Sequence, residues 1–254
     1  MKTRREFLEW MVSAAVTSTI VGERAEARRH ELRAALMAGT ATEVPEVLDH
    51  ILLGCADLER GIAFVEERTG VEAAFGGVHP GRGTENALLS LGERRYLEII
   101  APDPKQAGTA GPESSAERLG LRELAEPRLV TWAVHPGSAA ALAEKLKKAG
   151  VLAEGPTPGS RKRPDGRTLE WQTVNLADDA GGLLPFFIEW GAESVHPSVD
   201  APRGCTLKKF WVESPKAENL ARQIVALGLD VEVKQGKKAR LRAWITGPKG
   251  EMEL

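Results

Sequence analysis

The sequence predicts an α+β protein of repeated β-α-β-β-β units, whose mixed, curved sheets form a trough with helices on the outside. Two observations carry this. One order of segments (an apolar strand, an amphipathic helix closed by glycine, three short strands) occurs three times along the 254 residues. The composition, 42% hydrophobic and 28% charged, suits a chain that buries a core beneath a charged surface. A helix on one face of a four-stranded sheet leaves the other face bare. Two such sheets set edge to edge curve into a concave site lined by inward-facing strand residues.

Unit one spans 47–104 and opens with the strand "VLDHILLGC". Asp57 is placed to cap a helix over Leu58–Thr69, and Gly70 to end it. "AAFGGVHP", "TENALLSLG" and "RYLEIIAP" follow as short strands, marked by alternation and by Gly, Pro and Asn punctuation. A connecting helix is expected over 114–127. Unit two, 128–191, repeats the order with "RLVTWAVHP", a helix from Ser138 to Ala149 stopped by Gly150, and the strands "LAEGPTPG", "TLEWQTVNLA" and "LLPFFIEWG". These two units make one domain, 47–191. Unit three, 192–254, offers "TLKKFWVE", a helix capped by Ser214 with Pro215 in its first turn and Gly228 after its end, then "LDVEVKQG", "ARLRAWITG" and "EMEL".

The first 27 residues follow a different logic. Arg4 and Arg5 precede Phe7 and Leu8, an uncharged run covers Met11–Gly22, and Ala25-Glu26-Ala27 offers a small-x-small cleavage site. The run is too short to span a bilayer. The order reads as a twin-arginine export signal, placing the mature protein in the periplasm or outside the cell. The alternative is an amphipathic N-terminal helix with a chance arginine pair, on a cytoplasmic protein. Residues 28–46 read as a short helix and linker.

A net charge of −2 provides no global field to draw the chain to nucleic acid or to a membrane surface. Two cysteines, Cys55 and Cys205, are too few for a disulfide framework and read as packing residues. No P-loop, dinucleotide fingerprint or nucleophile elbow is present.

The candidate site residues are polar groups inside apolar strands. Glu98, between Leu97 and Ile99, must be paired, metal-bound or protonated if it points inward. Glu189 sits in a similar run, "FFIEW". His50 is either a satisfied core histidine or a ligand. His79, in "HPGRGTEN", shares a strand–loop junction with Arg82 and Asn86. It is a candidate proton carrier beside two candidate substrate contacts, set against a turn whose polar groups bond locally. Arg161, Lys162, Arg163 and Arg167 lie near Trp171. Arg163 and Trp171 are candidates for holding an anionic or planar ligand, against solvated hairpin charges as the plainer reading. His196 reads as a loop histidine, and nothing is assigned to His135.

The repeat, with "LDHI" on the first strand and "YLEII" on the fourth, resembles the vicinal oxygen chelate superfamily, which includes glyoxalase I and the extradiol dioxygenases. "GGVHPGRGTENALLSLGERRYLEIIAPDP" and "LPFFIEWG…HPS" resemble the glyoxalase-like domain within it. The likeness runs from Val47 to about Trp190 and reaches unit three by pattern only. It implies a divalent metal held by strands one and four of two paired units: His50 and Glu98 from unit one, Glu189 from unit two. The fourth place falls at Val130 or its neighbours Leu129 and Thr131, none a good ligand. One histidine and two carboxylates suit Fe, Mn, Ni or Zn with open positions. Such a centre polarises a bidentate oxygen substrate in lyase, isomerase or dioxygenase chemistry. The other possibility the resemblance allows is a protein that sequesters a small molecule in the trough without a metal. Unit three is left without a mate, so either a homodimer covers its apolar face, where Trp211 and Trp244 lie on strands, or it folds back on the rest of the chain.

Replacing Arg4 and Arg5 with lysine together is expected to trap the protein in the cytoplasm. Cell fractionation showing undiminished export would reject the twin-arginine reading.

Overall fold

The computed structural model describes residues 43–108, 111, 114–163 and 165–254. The export-signal segment 1–27 and most of the 28–46 linker lie outside the described residues. Unit one comprises β1 (Leu48–Gly54), α1 (Leu58–Thr69), β2 (Ala74–His79), β3 (Thr84–Gly92) and β4 (Arg95–Pro102). After α2 (Ser115–Arg118), unit two comprises β5 (Arg128–Val134), α3 (Ala139–Lys148), β6 (Ala153–Lys162), β7 (Thr168–Leu176) and β8 (Phe186–Trp190). Then come α4 (Pro197–Asp200), β9 (Thr206–Ser214), α5 (Ala217–Ala226), β10 (Glu232–Gln235), β11 (Arg240–Gly247) and β12 (Gly250–Glu253). Among the described residues no helix is long and apolar enough to cross a membrane.

Local chemistry sets the helix ends. The Asp57 carboxylate accepts the Arg60 N–H at 2.9 Å, and Gly70 closes α1 in the left-handed region at φ 80°. Ser138 caps α3 by accepting the Ala141 N–H. Two expectations are corrected. The connecting segment is a single α-turn and a 3-10 turn, because Gly120 turns left-handed (φ 58°) between them. Ser214 ends β9 rather than capping a helix; its hydroxyl accepts the Lys216 N–H, and α5 starts at Ala217.

Units one and two form one curled eight-stranded sheet in the order β2-β3-β4-β1-β5-β8-β7-β6. Their first strands join them, β1 running antiparallel to β5 and parallel to β4, while β5 runs parallel to β8. Unit three repeats the element order but not the pairing. Its order is β10-β9-β11-β12, with the first strand inside the sheet. The short β12 turns straight back on β11 through Gly247 and Gly250, so it cannot reach the first strand as β4 does.

Alternation along the strands separates two faces. Ile51 and Leu53, Leu97 and Ile99, Trp132 and Val134, and Phe187 enter the main core with residues of α3 and unit three. Trp132 lies with its ring 5.0 Å from that of Phe210 and donates to the Leu183 carbonyl. The apolar face of unit three, with Phe210, Val212 and Ile245, is thus covered within the chain. On its other face Trp211 lies under the Lys234 and Arg242 cations, and Lys209 pairs with Glu232. That face is charged rather than apolar, though Trp244 remains 42% exposed.

The opposite face of the large sheet lines the trough. Its two edges approach each other where Arg161 of β6 donates to the Gly76 carbonyl of β2. Glycine is required at this seam. Gly77 has φ 133°, and a Cβ there would stand 2.9 Å from the Lys162 carbonyl oxygen. At one end of the trough Ala116 and Leu121 pack against Leu52 and Ile100. At the other, Ala201 packs against Leu88 and Tyr96, with Ser90 bonded to the carbonyls of Pro202 and Ser198.

Gly77→Ala is expected to destabilise the fold by about 1–3 kcal/mol, the cost of one strained backbone position. Gly137→Ala, whose Cβ meets nothing within 4 Å, serves as the comparison. Equal urea midpoints for the two variants would show that the seam does not constrain the sheet.

Candidate functional site

Three inward positions on adjacent strands bring the polar groups together: His50 on β1, Glu98 on β4 and Asn86 on β3. With His79 at the end of β2 they line one wall of a cavity of about 430 Å³. The Asn86 side-chain N–H donates to Glu98 Oε1 at 2.7 Å. Glu98 Oε1 is 3.8 Å from His79 Nε2, and Oε2 is 3.5 Å from His50 Nε2. Of the candidate residues, His50, Glu98, His79, Arg82, Asn86 and Trp171 line this cavity.

The hydrogen bonds assign the tautomers. The Asn86 amide nitrogen lies 3.4 Å from His79 Nε2, which makes Nε2 an acceptor and leaves Nδ1–H to donate to Thr84 Oγ1 at 2.8 Å. Burial pushes the His79 pKa down to about 4 despite the nearby Glu98 charge, and Arg161 and Arg82 act in the same direction as burial. His79 is neutral at pH 7, with Nε2 on the cavity side between Asn86 and Glu98.

His50 is held from behind by Asp49, whose Oδ1 accepts from His50 Nδ1 at 2.6 Å. Adjacent strand residues ordinarily point to opposite faces. Here β1 bulges: Leu48 pairs with Val134 but His50 with Ala133, leaving Asp49 the extra residue. Asp49 is fully buried, and its Oδ2 accepts from Trp190 Nε1 at 3.1 Å and His196 Nε2 at 3.2 Å. Burial alone would raise its pKa. Hydrogen bonds from His196 and His50, and the charges they carry when protonated, outweigh that and hold it well below the usual carboxylate range. The result is a fixed carboxylate–imidazole pair with Nε2 aimed at Glu98. Tyr96 stacks on His50 with ring centres 4.4 Å apart; burial and the Glu98 and Asp49 charges push its pKa well up, so it stays a neutral phenol.

Glu189 does not join the site. Phe186, Ile188 and Trp190 of β8 face the cavity, so the alternating Glu189 faces the helices, where its Oε2 accepts the Ala139 N–H at 2.6 Å and caps α3. The His50–Glu98–Glu189 metal set is thereby overturned. On the first and fourth strands of unit two, β5 and β8, the cavity-lining residues include Thr131 and Ile188 and no histidine or carboxylate. Among the described residues no group of three or more His, Cys, Asp or Glu is arranged to hold a metal ion. The residues present do not fit the Fe, Mn, Ni or Zn centre that the resemblance implies.

Arg163 is also corrected. β6 ends at Lys162, and the chain turns away so that Arg163 pairs with Asp200 at 2.8 Å, outside the cavity. Arg161, still on the strand, is the buried cation that lines it. His196, read as a loop histidine, instead secures Asp49 while its Nδ1 accepts the Ser198 N–H. The far wall is largely apolar, with Phe186 and Ile188, and with Trp171 and Trp190 packed edge to face at 5.8 Å.

The glyoxalase-like domain model matches residues 48–228. No curated protein matches the chain. Among solved structures, a hypothetical protein from Staphylococcus aureus is similar at 19% identity and a TM-score of 0.61, over 76% of this chain and 87% of that one. Methylmalonyl-CoA epimerase from Mycobacterium tuberculosis is 21% identical with a TM-score of 0.44, over 60% of this chain and 93% of that one. For the Staphylococcus aureus protein, at this identity, the likeness is one of fold.

The His79 shift sets a pH dependence. Between its folded value of about 4 and the ordinary 6.5, the unfolded chain binds a proton that the folded one does not, so stability falls as pH drops through that window. Asp49 acts in the same direction, but only below the ordinary carboxylate value. Urea unfolding of the wild type is expected to weaken by on the order of 3 kcal/mol between pH 6.5 and 4 from His79, and His79→Gln should flatten that slope. An unchanged slope in the variant would show that His79 is not held neutral.

Proposed function

Because the chain belongs to the glyoxalase-like domain family of the vicinal oxygen chelate superfamily, we propose that its trough binds a small oxygen-bearing molecule and moves a proton on it, as an isomerase or lyase does. The observation that carries this reading is Glu98 facing an imidazole already backed by a carboxylate, at 3.5 Å, inside a cavity of small-molecule size.

The chemistry follows from the placement. Asn86 occupies Glu98 Oε1, which leaves Oε2 toward His50 and the cavity. Glu98 takes a proton from a carbon next to a carbonyl, and the C–H electron pair moves into the enolate. Asp49 keeps His50 Nδ1 protonated, so Nε2 exchanges a proton with the developing oxygen or with Glu98. Arg161, a buried cation across the seam, stabilises negative charge on that oxygen. A substrate hydroxyl that displaces the long 3.4 Å Asn86 contact donates to His79 Nε2. Return of the proton to the same carbon from the other face gives epimerisation, and its delivery to the next carbon gives isomerisation; in elimination the enolate electron pair expels a leaving group, which departs with the proton held by Glu98. No step passes through a metal.

The test is hydrogen–deuterium exchange followed by NMR in D2O, on a panel of small 2-oxo acids and 2-oxo amides with an aromatic or branched side chain. The wild type is expected to accelerate exchange at the carbon next to the carbonyl. Glu98→Gln should lose roughly 100-fold or more, the usual scale of one acid–base group, and Asp49→Asn should lose much of it. Panel members that bind without any exchange would replace this reading with that of a sequestering protein.

A further inference from the structure

Resting on the trough as the small-molecule site, we infer that its ligand carries an oxyanion, a carboxylate or phosphate group, held at the trough mouth by Arg82 and Arg118.

Arg82 lies in the turn between β2 and β3, and Arg118 ends α2. The Arg82 carbonyl accepts the Ser115 N–H at 3.0 Å, docking α2 on this hairpin. Both side chains line the cavity that holds Glu98. Among the described residues neither has a carboxylate within ion-pair reach, whereas Arg122, only four residues beyond Arg118, pairs with Glu117 at 3.1 Å. Arg82 is half-buried, and burial and the neighbouring Arg118 charge both act against its proton. Two guanidinium groups on one cavity wall repel, and a partly buried one costs free energy, unless an anion lies between them. Guanidinium forks suit such an anion, since carboxylate and phosphate oxygens accept two parallel N–H bonds from them.

The rest of the cavity is polarised to match. Arg161 adds a third cation, with one of its five N–H groups given to the Gly76 carbonyl. The carboxylates that line the cavity besides Glu98 are Glu154 and Asp179, and Asp179 is tied to the N–H groups of Gly181 and Gly182. An amphiphilic anion therefore has one orientation: its charged end against Arg82 and Arg118, and its apolar body along Trp171 and Trp190. The neighbouring Ser115 hydroxyl, also on the lining, adds a neutral donor.

Titration calorimetry with phenylpyruvate, phenyl phosphate and the neutral phenylpyruvamide tests this on the full chain. Both anions are expected to bind more tightly than the amide and to weaken as salt rises. Arg82→Gln and Arg118→Gln should each reduce anion binding roughly 10-fold or more, as loss of a charged hydrogen bond does, and leave the amide unchanged. Arg118 is exposed, so its variant is expected to fold even if the Arg82 variant does not. The tighter of the two anions identifies carboxylate or phosphate as the group. Equal affinity for the amide, anion binding that neither variant weakens, or no binding of either anion at low millimolar concentration would overturn the inference. Arginine-dependent binding without proton exchange would keep this anion site and remove the proton-transfer reading. Exchange with arginine-independent binding would do the reverse.

Discussion

The buried Asp49 carboxylate is the interaction on which the rest of the site depends. A bare carboxylate in an apolar interior is strongly unfavourable, and three donors offset that here: His50 Nδ1, Trp190 Nε1 and His196 Nε2. They come from unit one, from unit two and from the segment leading to unit three. One charge thus ties together three parts of the chain that are distant in sequence, at the point where the two halves of the large sheet meet. Removing one partner of such a group typically costs about 3–5 kcal/mol, and the β1 bulge is what turns Asp49 toward these donors.

The two halves of the trough share a topology and divide the chemistry. Unit one supplies His50, His79, Asn86 and Glu98; unit two answers with Thr131, Phe186, Ile188, Trp171 and Trp190. A metal centre of the kind the fold family implies needs ligands from both halves. Here the only carboxylate of β8 caps a helix on the other face. The buried cation that unit two adds to the cavity is Arg161, and it arrives because the sheet curls until its edges nearly meet. The Gly76–Gly77 pair permits that closure. A side chain at Gly76 would strike Asn86, and one at Gly77 would strike β6.

Unit three shows the same economy of surface. Its apolar face could not remain open to water, and the convex side of the trough, itself apolar through Trp132 and Phe187, is the nearest surface that can cover it. The two sheets share one core, and the trough keeps its concave side for polar groups and ligand.

Much of the fold was legible because helix and strand periods and caps are local. Asp57, Gly70, Ser138 and Gly150 sit where helix ends require them, and the apolar neighbours of Glu98 marked it as a carboxylate that needs a partner if it points inward, as it does. Alternation misled at Glu189, because a run such as "FFIEW" does not say which face is the trough, and both faces of this sheet are largely buried. Arg163 came from a run of cations near Trp171, and nothing local in that run says that Arg161, on the strand, lines the cavity while Arg163, just past its end, pairs with Asp200. By itself the sequence determined the element order, the helix ends, and which polar residues lie in apolar strands, since each depends on neighbours a few positions away. Only the tertiary structure decided that Asp49 shares the face of His50, that His196 reaches it from 147 residues away, and that Arg161 crosses to β2. Those depend on a bulge, on a closing sheet and on the packing of distant segments, none of which has a local signature.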